Sequence, residues 1–98
     1  MMKGILSGLR EMHSKRIMHR DIKPENILFR EKNAYSDENN ICIADFGLAT
    51  TQNVQKYLFF RCGTPGYIAP EVLNITDPYE KYSEKCDVFS AGAIMFQL

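Results

Sequence analysis

Ninety-eight residues, 45% of them apolar, are enough for one small domain or for a section of a larger one, and too apolar for wholesale disorder. Twelve basic and twelve acidic side chains cancel, so no charge excess points to nucleic acid, to an anionic membrane or to an acidic tail. In chain order, Met2, Ile5, Leu9 and Met12 form one apolar stripe at helical spacing, which predicts a helix over Met2 to Ser14. No capping residue precedes it, so the helix is expected to be entered midway. Ile17-Met18-His19 reads as a short buried strand, and Asp21 to Asn26 as a loop in which Pro24 opposes helix. Ile27-Leu28-Phe29 and Ile41 to Ala44 are two short apolar strands expected to pair as a hairpin. Between them Arg30 to Asn40 reads as a solvent-exposed connection, long for a tight turn. Gly47 to Tyr67 carries few regular signals and is expected to be extended and mobile. Pro70 to Leu73 suits one helical turn with proline at an early position. Asn74 to Tyr82 is a loop. Ser83 then resembles an N-cap, with Glu84 in the first turn, for a helix running through Leu98 without a stop signal.

Cys42, Cys62 and Cys86 form no CxxC pair, and the two histidines complete no zinc spacing, so three free thiols in a reducing compartment are expected. No apolar run approaches the roughly 20 residues that span a bilayer. No signal-peptide core follows Met1-Met2-Lys3. A soluble cytoplasmic chain with no membrane or nucleic-acid partner is the expectation.

Four short strings carry chemistry: His19-Arg20-Asp21, Asn26, Asp45-Phe46-Gly47 and Ala69-Pro70-Glu71. Each alone has an ordinary reading as a solvated tripeptide or a turn, with Gly47 tolerating positive φ. Their joint order is far more specific. Phosphoryl transfer needs a carboxylate to accept a hydrogen bond from the attacking hydroxyl, hard oxygen ligands for Mg²⁺, and a cation facing the phosphoryl group. The strings supply those residue types.

Taken together, His19-Arg20-Asp21-Ile22-Lys23-Pro24-Glu25-Asn26, Asp45-Phe46-Gly47-Leu48-Ala49 and Gly63-Thr64-Pro65-Gly66-Tyr67-Ile68-Ala69-Pro70-Glu71 resemble the catalytic loop and activation segment of eukaryotic protein kinases. The resemblance runs the length of the chain, residues 1–98. It implies an α+β fold, part of the large C-terminal lobe, mainly helical with a small β-hairpin. It implies ATP and Mg²⁺ as cofactors and a protein substrate with a Ser or Thr acceptor. By the same resemblance Asp21 orients the acceptor hydroxyl and serves as its base, and Lys23 contacts the γ-phosphate. Asn26 and Asp45 would bind Mg²⁺, and Glu25 and Leu28 belong to the nucleotide side, with Leu28 under the adenine ring. Glu25 also lies where some kinases contact a basic substrate residue. Thr64 would bond the catalytic aspartate and lysine. His19 and Phe46 would be members of a stacked apolar column, and Gly47 the turn that follows it. Asp87 would hold the catalytic loop by its backbone, and Glu71 would pair with an arginine outside these residues.

Lys23 and Gly63-Thr64-Pro65 favour serine/threonine over tyrosine substrates, and Cys62 to Leu73 is most similar to the calcium/calmodulin-dependent group. A calmodulin partner stays open for a longer protein with a tail beyond Leu98. The 98 residues hold no GxGxxG loop and no strand lysine with its glutamate partner, so the chain by itself is expected to be inactive. That keeps open a second class, a catalytically inactive kinase-like binding module or gene remnant. Arg20 before Asp21 is the arrangement that pairs with a phosphorylated activation segment in many kinases, yet Phe60 stands at the usual phosphoacceptor position. Tyr57 to Cys62 is therefore expected to order by aromatic packing, with Thr50, Thr51 and Tyr57 as the remaining hydroxyls.

Overall fold

The computed structural model describes residues 2–31, 41–51, 54–57 and 59–97. The elements are α1 (Met2–Ser14), β1 (Ile17–Met18), β2 (Ile27–Phe29), β3 (Ile41–Ile43), β4 (Thr50–Thr51), α2 (Pro70–Leu73) and α3 (Lys85–Gln97), an α+β arrangement. The apolar stripe of α1 is inward as its spacing requires. Ile5 and Leu9 are buried, with Met2 and Met12 packed beside them. Ser83 caps the last helix as expected, its Oγ accepting the Lys85 N–H at 3.3 Å. Strands β2 and β3 pair antiparallel, Ile27 opposite Ile43 and Phe29 opposite Ile41. Arg30 and Glu31 at the start of the connection are exposed. The rest of that expected connection, 32–40, lies outside the described residues, as does Leu98 at the expected end of the last helix.

One local expectation is corrected. Pro24 begins a 3₁₀ turn over Pro24–Asn26. At the first position of such a turn its missing N–H has no partner to lose, so proline initiates the turn that it would break from within. The stretch after Gly47, expected to be extended, contains a short strand. Thr50 and Thr51 pair antiparallel with Met18 and Ile17. Neither side of that ladder is periodic, and two residues are too few to leave a pattern in the sequence.

Two apolar cores meet at the loop that follows β1. In the first, Ile5 and Leu9 of α1, Ala91 and Ile94 of α3, and Ile27 and Ile41 of the strand pair enclose Ile22. In the second, Tyr57, Ala69, Val72, Ile75, Tyr82 and Cys86 enclose Met18. Burying each large side chain contributes about 1.5–3 kcal/mol. The residues between Met18 and Ile22 are thus fixed from both ends, and those residues are His19, Arg20 and Asp21.

Candidate active site

His19 and Arg20 are buried polar residues, and their backbone N–H groups need acceptors. Asp87, in the first turn of α3 and fully buried, supplies both. Its Oδ2 accepts from the His19 N–H and its Oδ1 from the Arg20 N–H, each at 2.8 Å. Asp87 thus bonds the main chain of two successive residues, His19 and Arg20. A third partner was not foreseen: His13 Nε2 lies 3.0 Å from Asp87 Oδ2. Its sequence signal was a histidine in the last turn of α1, which reads only as a favourable end charge.

The Asp21 side chain receives a hydrogen bond from Thr64 Oγ1 at 2.9 Å, and the Lys23 ammonium is 3.7 Å from its other oxygen. Thr64 is 43 residues away in sequence, so the activation segment must fold back to deliver it. Gly63 permits that return. Its φ is +123°, and a Cβ there would stand 3.2 Å from the Arg20 carbonyl oxygen and 3.0 Å from Ile68. Asn26 is buried and its Nδ2–H donates to the Asp21 carbonyl at 2.8 Å, leaving the amide oxygen as its acceptor atom.

The second carboxylate arrives from β3. The Ala44 N–H donates to the Asn26 carbonyl at 2.8 Å, and the Ala44 carbonyl is 2.8 Å from His19 Nε2. These two bonds fix Ala44 against the loop immediately before Asp45. Asp45 has φ +59°, and its Oδ1 accepts the Gly47 N–H at 3.2 Å. A left-handed conformation at a non-glycine residue costs roughly 1–3 kcal/mol and persists only where the surroundings over-determine it. Arg20, at +70°, shares that feature. Phe46 packs edge-on to His19, ring centres 5.2 Å apart.

Glu25 and Leu28 are exposed on the 3₁₀ turn and β2, and Glu71 is exposed on α2, so its carboxylate is not buried. Gly47 occupies the turn after Phe46. The three cysteines are free. Burial raises the thiol pKa of Cys62 and Cys86, and the Asp87 charge raises that of Cys86 further, so both thiols are held protonated. Among the described residues no cluster of three His, Cys, Asp or Glu side chains could hold a metal on its own. No helix of the described residues is long and apolar enough to cross a membrane.

Residues 1–98 match the protein kinase domain family throughout. The chain is 46% identical over 96 residues to calcium-dependent protein kinase 4 of Plasmodium falciparum (isolate 3D7), covering 98% of this chain and 17% of that protein. It is 46% identical over 97 residues to calcium-dependent protein kinase 5 of Plasmodium berghei (strain Anka), covering 99% and 16%. It is 39% identical over 94 residues to the probable serine/threonine-protein kinase fhkE of Dictyostelium discoideum, covering 96% and 13%. The chain belongs to the protein kinase domain family. Its similarity is to kinases of the calcium-dependent type, and it spans about a sixth of the length of these relatives.

Proposed function

We propose that these residues are the catalytic-loop and activation-segment part of the C-terminal lobe of a protein serine/threonine kinase, which transfers the γ-phosphate of ATP to Ser or Thr hydroxyls of protein substrates. The observation that carries this reading is the Asp21 carboxylate, held by Thr64 and faced by Lys23, on a loop whose main chain is bound by buried Asp87. Positioning and electrostatics supply most of the catalysis in phosphoryl transfer. A carboxylate with one oxygen fixed and the other near a cation is suited to accept the hydrogen bond of an incoming hydroxyl and its proton. Lys23 is suited to meet the phosphoryl oxygens.

Mg²⁺ suits the remaining residues. It takes oxygen ligands, and it usually binds one or two protein carboxylates together with substrate phosphates rather than an all-protein cage. Asp45 offers an exposed carboxylate. Asn26 offers an amide oxygen oriented by the bond its Nδ2 makes. These two would hold the ion, whose charge offsets that developing on the transferred phosphoryl group. Leu28, half exposed on β2, offers an apolar surface for an adenine ring, and Glu25 lies three residues before it in sequence.

Thr64 and Lys23 favour serine/threonine acceptors. Calcium control, carried in the names of two relatives, would come from parts of the protein outside these residues, as would any calmodulin contact. A cytosolic setting, in keeping with three free thiols, is part of the same reading. The test is phosphate transfer from ATP-Mg²⁺ to Ser/Thr peptides by the longer protein that carries this segment, beside its Asp21→Asn variant. Transfer by the parent and loss of at least about 100-fold in the variant is expected. Equal rates in both would overturn the assignment.

A further inference from the structure

Arg20 directly precedes Asp21, and its side chain runs away from the reacting face into a cluster of activation-segment residues. Its Nε–H donates to the Leu48 carbonyl at 2.7 Å. Its Nη1 donates to the Tyr82 hydroxyl at 3.0 Å and to the Phe59 carbonyl at 3.4 Å. The Tyr82 hydroxyl in turn donates to the Phe60 carbonyl at 3.0 Å. Behind Tyr82 stands Tyr57, only 1% exposed. The two rings lie 4.8 Å apart, and the Tyr57 hydroxyl donates to the Tyr82 carbonyl at 3.0 Å. The Tyr57 N–H donates to the Pro78 carbonyl at 2.9 Å. Two cations face its ring, the Lys81 ammonium 4.1 Å from the centre and the Arg20 guanidinium carbon at 5.7 Å. An aromatic face carries a negative quadrupole and holds cations without a formal charge.

We propose that Tyr57 is a positioning residue for phosphoryl transfer, fixing Arg20 through its ring and through Tyr82, and so fixing Asp21 without a phosphate on the activation segment. The proposal rests on the kinase reading above and assigns a residue that the catalytic strings do not contain. The path from Tyr57 to Asp21 is short: ring to guanidinium, guanidinium to a main chain at φ +70°, main chain to the next residue. At the other end the same guanidinium takes the carbonyl of Phe59, itself at φ +51°. Phe60 has no hydroxyl to modify. The Tyr57 hydroxyl is buried in its bond to Tyr82, so in this arrangement it serves as a hydrogen-bond donor rather than a phosphate acceptor. The expectation that aromatic packing orders Tyr57 to Cys62 is thereby given its anchor. The anchor is Tyr57 and not Phe59, which is 69% exposed; Leu58 lies outside the described residues.

The experiment uses the longer protein that carries this segment, as wild type and as Tyr57→Ala, Tyr57→Phe and Tyr82→Phe. Each is treated with phosphatase, checked by mass spectrometry over 47–67, and measured for kcat, for KM of ATP and for hydrogen exchange over 16–22 and 54–62. Phosphate-free wild type should keep its activity. Tyr57→Ala should lower kcat by about 10- to 100-fold with KM for ATP within about threefold, since misplacement of a catalytic group by about 1 Å has effects of that size. Exchange should quicken in both stretches. Tyr57→Phe, which keeps the ring, should recover most of the rate. Tyr82→Phe, a smaller change that serves if Tyr57→Ala does not fold, should lower kcat at unchanged KM for ATP. Three results overturn the proposal: faster exchange at 54–62 alone with kcat unchanged, unchanged kcat in Tyr82→Phe, or loss of wild-type activity together with phosphate from Thr50 or Thr51. If phosphate-free wild type transfers nothing although no phosphate was removed, the kinase reading fails instead. The link from Tyr57 to the catalytic loop is then upheld by faster exchange over 16–22 in Tyr57→Ala and overturned by its absence.

Discussion

Asp21 and Asp45 are both carboxylates of the candidate site, yet their surroundings differ enough to separate their effects. Asp21 is half-buried, bonded by Thr64 and near Lys23, whereas Asp45 is exposed and touches the Gly47 N–H. In the longer protein Asp21→Ala is expected to abolish most transfer while leaving ATP affinity nearly intact. Asp45→Ala should weaken Mg²⁺-dependent nucleotide binding as well. Calorimetric titration of each variant with ATP, with and without Mg²⁺, checks this, and an equal loss of affinity in both would count against the two roles. A second residue-scale prediction follows from burial. Tyr82 has its pKa pushed up to about 12 by desolvation, and Cys86 is raised above its ordinary value of 9.0 for the same reason. A folded state that keeps a proton the unfolded chain has lost becomes less stable as pH rises. For these two groups stability should be unaffected below about pH 9 and fall from there towards pH 12, steepening above 10 where Tyr82 joins. Denaturant midpoints measured from pH 7 to 11 would show it. Cys86 should react with a thiol reagent only at the rate of unfolding, and rapid native labelling would contradict its burial.

At the scale of elements, Gly63 is where the stretch leading to Thr64 meets the main chain of the loop after β1, at the Arg20 carbonyl. Alanine there would adopt φ near +123° and press on the Arg20 carbonyl, which cannot turn aside as a side chain would. Gly63→Ala should lower stability by about 1 kcal/mol or more. It should also lower kcat, since Thr64 next to it holds Asp21; a variant with unchanged melting temperature and rate would refute this account. The elements themselves were unevenly legible. Helix α1 over Met2–Ser14, the turn Pro70–Leu73 and the cap at Ser83 could be read because their causes are local: stripe, proline position, capping hydroxyl. The pairing of β2 with β3 followed from two apolar runs. The pairing of β1 with β4 did not, because it joins residues over 30 apart through two-residue strands. The chemical strings singled out Asp21, Asn26 and Asp45, and the kinase resemblance added Thr64 and Asp87. Their geometry now brings Thr64 and Lys23 to the Asp21 carboxylate, and Asp87 and Asn26 to the main chain of its loop. The bonds of His13 and Tyr82 were not legible, and Tyr57 was legible only as a hydroxyl at the start of an aromatic stretch, since a histidine or tyrosine beside apolar neighbours carries no local mark of the partner it will meet.

At the scale of the whole molecule, the described surface bears directly on where activity resides. Phe96 is 95% exposed, Met95 63%, Phe46 52% and Leu28 49%, on α3, at the turn after Asp45 and on β2. Water-facing apolar groups in such number mark faces that another segment or partner covers. Two of them, Phe46 and Leu28, flank the proposed nucleotide side, where a covering element would exclude water and fix the phosphates. The chain spans about a sixth of the length of the calcium-dependent relatives it matches. A polypeptide of these 98 residues alone is therefore expected to bind a hydrophobic dye and to show no transfer from ATP-Mg²⁺ above background. The longer protein should bind less dye and be active. The difference should lie in nucleotide binding as much as in rate, because Asp21, Lys23 and Thr64 are already assembled here, whereas phosphate contacts from a covering element are not present in the sequence. Robust phosphorylation of a Ser/Thr peptide by the purified 98-residue chain, with an ATP affinity equal to that of the longer protein, would show that the site needs no cover.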